Sequence, residues 1–161
     1  MSRPVPSRQP TADEPTADEP TADDVALLTA LLEAAHAVVY GYGALGARLD
    51  DPTRRVALTA FDVHRARRDA LSAHLQRRAA ADPPALPAYD VAVADAAAAR
   101  ALAVRLEEGM SVRWRDLVAG TDDAELRRLG LSGLQETAVR AASWRELTGA
   151  GPVTVALPGT G

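Results

Sequence analysis

Proline, glycine and aspartate interrupt this chain at three places, and the stretches between them are long, rich in alanine and leucine, and studded with arginine. The breaks fall at Asp50-Asp51-Pro52, from Asp82 to Pro87, and from Gly120 to Asp123. Residues of this kind end helices instead of continuing them. The segments they bound are roughly 27 to 30 residues long, about 40 Å of helix each. Helices of that length joined by short loops pack antiparallel, so the layout predicts an all-α four-helix bundle.

Composition agrees. Aromatic residues make up only 4 % of the 161 positions, and a core of Ala, Leu and Val suits closely approaching helices. Cysteine is absent, which excludes disulfides, thiolate metal sites and thiol catalysis. All 18 basic residues are arginine, so Schiff-base chemistry and a phosphate-binding P-loop are excluded too. GC-rich coding explains that bias without invoking function. Residues 1–24 carry two arginines against six carboxylates, whereas residues 25–161 carry sixteen of each sign. A neutral body argues against a nucleic-acid partner. Charges interrupt every apolar run before it reaches membrane-spanning length, and residues 1–6 lack a signal-peptide core, so no membrane association and a cytoplasmic location are expected.

Three regions follow. Residues 1–22 hold the pentad Thr-Ala-Asp-Glu-Pro twice and part of a third copy, and proline every five residues predicts a disordered acidic arm. Residues 23–149 form the bundle. The expected helices run from about Asp23 to Leu49, from Pro52 to Ala81 with Asp51 as cap, from Tyr89 to Val118, and from Thr121 or Asp122 to Leu147. A kink is expected where Gly130, Ser132 and Gly133 cluster, and Trp114 and Trp144 are expected to anchor the core or a groove. Residues 150–161 form a short extended tail along the bundle. The first helix is apolar around most of its circumference, which predicts a central position or a homodimer contact through it.

Few side chains offer chemistry. Glu33 and Tyr40 in the first helix, His64 in the second, Glu107 in the third and Glu136 in the fourth resemble the pattern of the ferritin-like superfamily. Tyr40-Gly-Tyr-Gly43, His64-Arg-Ala-Arg-Arg-Asp69 and Ala156-Leu-Pro-Gly159 are similar to an actinobacterial ferritin-like domain family of unknown function, over residues 25–158. The resemblance implies an antiparallel ferritin-like bundle. Working members of the superfamily hold two iron atoms with single Glu residues on two helices and Glu-x-x-His on the other two. Here Glu33 and Glu107 fit the single-Glu slots, but Phe61 stands in the Glu slot before His64, and Val139 stands where a His would follow Glu136.

Helical geometry places His64 centrally on an apolar face and Glu107 at the edge of its own, while Glu33 and Glu136 point outward. The leading expectation is therefore a metal-free structural or protein-interaction module without catalytic or cofactor-binding residues. Its midsection is closed by a polar layer of His64, Arg68 and Glu107, in which Arg68→Ala costs on the order of 3 kcal/mol. The alternative uses Glu33-Ala-Ala-His36, itself a Glu-x-x-His. If that stripe faces inward, Glu33, His36, His64 and Glu107 hold iron or manganese, and the protein has oxidase or iron-handling activity.

Overall fold

The computed structural model describes residues 21–149 and 151–160, in which four α-helices account for all regular structure. They are α1 (Ala22–Gly46), α2 (Asp51–Arg77), α3 (Ala96–Gly120) and α4 (Ala124–Thr148). The acidic arm expected over residues 1–22 lies outside the described residues except for its last two. Each helix starts on an oxygen-bearing cap: the side chains of Thr21, Asp50, Asp95 and Asp123 accept from backbone amides in the first turn. These bonds satisfy donors that have no partner within the helix. Asp50 takes the place expected of Asp51, and Asp123 that of Thr121 or Asp122, because Thr121 instead ends α3, its backbone N–H donating to the Leu117 carbonyl.

Side-chain contacts fix the directions. Leu27 lies against Gly120 and Leu106 against Gly41, so α1 and α3 run antiparallel. Asp24 accepts from the Thr121 hydroxyl at 2.5 Å at the end of that pair. Arg67 meets Glu136 and Arg78 meets Asp123, which makes α2 and α4 antiparallel as well. With short turns joining α1 to α2 and α3 to α4, the order is up–down–down–up. The α2–α3 connection must then travel the full length of the bundle, about 37 Å for a 25-residue helix.

That requirement corrects the expected third helix, which begins at Ala96 and not near Tyr89. Residues 78–95 are irregular, and extended chain covers the distance where helix at 1.5 Å per residue would fall short. The crossover lies along α1: the Tyr89 ring sits 5.3 Å from that of Tyr40, and Val91 and Val93 pack on the core.

By length and composition α1 could cross a membrane, but its Leu28, Leu31, Leu32 and Leu45 are buried in the core of this bundle. Its C-terminal end is closed by Arg54, whose guanidinium donates to the carbonyls of Gly46 and Leu49, a favourable place for a cation. Where a kink is expected, α4 continues as unbroken helix through Gly130, Ser132 and Gly133. Gly130 and Gly133 instead form a shallow trough in which Trp114 and Val118 of α3 sit. Both tryptophans are buried, as expected. The tail forms bends and turns, tied to α4 by Arg145 donating to the Val153 carbonyl and to α3 by Arg115 donating to that of Gly159.

Candidate functional site

All four helices send a polar side chain into one layer of the core. Glu107 on α3 is fully buried and lies at its centre. Its Oε1 accepts from the Tyr42 hydroxyl of α1 at 2.5 Å and lies 2.8 Å from Nε2 of His64 on α2. Arg140 of α4 reaches both carboxylate oxygens through Nε, at 3.2 and 3.1 Å. One turn on, Trp144 donates its indole N–H to the Tyr42 hydroxyl oxygen at 2.8 Å. The Tyr42 and His64 rings stack at 5.2 Å, which fixes the imidazole plane against the carboxylate.

The arrangement is electrostatically closed. A buried carboxylate requires an opposite charge and hydrogen-bond donors, and Glu107 has both. Burial, followed by the charge of Glu107, pushes the Tyr42 hydroxyl far above the usual phenol range. Tyr42 therefore stays protonated and donates, the role a charged acceptor needs. A second ring of polar contacts surrounds this one. Arg140 lies 3.9 Å from Glu136, and Glu136 also takes a close contact from Arg67, which donates to Ser132 at 3.1 Å.

The sequence-predicted residues separate into two groups. His64 and Glu107 meet as expected. Arg68 does not join them: it bonds the neighbouring Asp69 at the surface, at 2.7 Å. The cation on Glu107 is Arg140, which adjoins the buried line of Thr137, Ala141 and Trp144 and lets a long side chain reach inward. Glu33 is exposed and His36 only half-buried, because the Leu28–Leu32–Ala35 stripe faces the core, so neither approaches His64 and Glu107. Glu136 is not simply outward; it is partly covered and held by Arg67 and Arg140. Val139 is largely exposed, so a histidine there would point to solvent.

Sequence reasoning missed Tyr42 and Arg140 as members of the layer. The available signal was spacing: Glu136, Arg140 and Trp144 are successive i, i+4 positions, which form one continuous row on a helix. Among the described residues, no three His, Cys, Asp or Glu side chains converge as a metal-binding group.

Comparison with known proteins places this architecture. A family model described as a domain of unknown function (DUF4439) matches residues 26–161. The crystal structure of a conserved hypothetical protein, rv2844, from Mycobacterium tuberculosis is similar at 34 % identity, with a TM-score of 0.77. That likeness covers 85 % of this chain and 98 % of the mycobacterial one. No curated protein matches the chain.

Proposed function

The chain belongs to the family described as a domain of unknown function, DUF4439, and from that footing we propose that it is a ferritin-like bundle serving as a metal-free structural or protein-interaction module. The up–down–down–up order with one long crossover supports the ferritin-like assignment, since that connection is characteristic of the superfamily. The reading rests above all on the occupation of Glu107. Three donors crowd Oε1, and the Arg140 guanidinium holds Oε2.

The residues present do not fit a di-metal centre. Such a site needs several carboxylates and imidazoles converging on two cations, and among the described residues only His64 and Glu107 of these types share the layer. A guanidinium beside them would repel a dication. Glu136, the remaining inward-leaning acid, is committed to Arg67 and Arg140.

Metal analysis of protein purified without chelator tests the reading. Iron and manganese well below one equivalent per chain are expected. A full equivalent or more that disappears in His64→Ala would overturn it, and two equivalents would establish the di-metal alternative. The interaction role centres on α1, whose outer face exposes Tyr40 beside the partly covered Ala34 and Ala37, and a homodimer through this helix is the contact proposed.

A further inference from the structure

Away from the polar layer, three adjoining clefts meet at Arg105 on α3. The largest has a volume of about 670 Å³, within the range of small-molecule sites. One wall is the tail, presenting Val155 and Leu157, and it is a fixed wall because Arg145 and Arg115 hold its carbonyls. The floor includes Val112 and Gly109, and among the described residues nothing beyond its own stretch of helix backbone lies within 4 Å of where a Gly109 side chain would begin. A glycine in mid-helix costs about 1 kcal/mol relative to alanine. Packing within this chain does not explain it.

The charges in the groove are unequal. Arg145 is neutralised by Glu108 at 2.6 Å. The Thr160 hydroxyl is spent on the Leu157 carbonyl at 2.7 Å. Arg105 makes no hydrogen bond or ion pair among the described residues. A peptide or nucleotide would need several polar partners, and this groove offers one uncompensated guanidinium among apolar walls. We propose that the groove binds a free single-chain aliphatic carboxylate, with its head on Arg105 and its chain over Gly109 and against Val155. The guanidinium fork matches a carboxylate, and the open space above Gly109 admits a methylene chain. This inference is independent of the metal-free reading.

Isothermal titration of the full chain with decanoate, below its micelle concentration, tests the site. Saturable binding at one equivalent is expected, weakened about tenfold or more in Arg105→Gln and similarly in Gly109→Leu, which fills the floor. Circular dichroism melts of both variants check that the fold is retained; Arg105 holds no hydrogen bond or ion pair among the described residues and Gly109 faces open space, so it should be. Absence of saturable binding by the parent, or unchanged affinity in either folded variant, would overturn the proposal.

Discussion

Glu107 shows why a single guanidinium matters more than several others on this surface. Removing Arg140 takes the guanidinium from a fully buried carboxylate, so Arg140→Ala should destabilise by about 3 kcal/mol. Arg68→Ala removes a surface contact to Asp69 and should cost under about 1 kcal/mol. Urea denaturation of the two variants decides between them; equal midpoints would sink the account of the layer. Another residue-scale prediction concerns His74, whose Nδ1 accepts from Arg77 at 2.9 Å and lies 3.5 Å from Arg78. Burial first, then the Arg77 charge, holds its imidazole below the ordinary histidine range, against the opposing pull of Glu125 and Asp123. In the window below about pH 6.5 the unfolded chain binds a proton that the folded one refuses. Stability should therefore fall as pH drops from 7 toward 5.5, and His74→Asn should flatten that slope. A parent melting temperature independent of pH across this window would contradict the geometry.

At the scale of the helix, glycines separate by what faces them. An added methyl at Gly133 would lie 2.3 Å from the Trp114 ring, and the tryptophan is locked in the core. Gly133→Ala should cost about 1–3 kcal/mol through overpacking. Gly109 faces open space, so Gly109→Ala should be neutral or stabilise by up to about 1 kcal/mol. Thermal melts compared side by side measure the contrast, and a reversed order would refute the trough between α3 and α4. The caps act at this scale too. Burial would raise the Asp123 carboxyl, but the amides of Leu126 and Glu125 and then Arg78 outweigh it and hold it low. The bonds of Asp50 to Thr53 lower that carboxyl likewise. Both caps contribute at neutral pH and are lost as pH falls through their lowered values, below about 4.

For the molecule as a whole, α1 is the element that looks both ways. Its leucines are buried against α2 and α3, while Ala34 and Ala37 line an open cleft beside Arg113. If this face joins two copies, sedimentation equilibrium at micromolar concentration should give twice the mass of one chain, and Ala37→Arg should return it to one. A parent that sediments as a monomer at every concentration would remove the dimer.

The four helices, their order and the buried tryptophans were legible from the chain because each rests on local chemistry or on helical periodicity, whereas the acidic caps of α2 and α4 fell one or two residues from the expected ones. Proline and glycine marked where helices stop, and the spacing of leucines marked which face turns inward. The late start of α3 was not legible: Tyr89 to Asp95 suits a helix in isolation, and only the parallel course of α2 and α3 demands an extended crossover there. The layer around Glu107 was legible in part. Periodicity put His64 and Glu107 in the core, but which arginine neutralises the carboxylate depends on how α4 is rotated and how far a long side chain reaches across. Arg68 and Arg140 are equivalent as letters. Packing of α4 against α3, set by the glycine trough under Trp114, turns one of them inward, and Asp69 keeps the other at the surface.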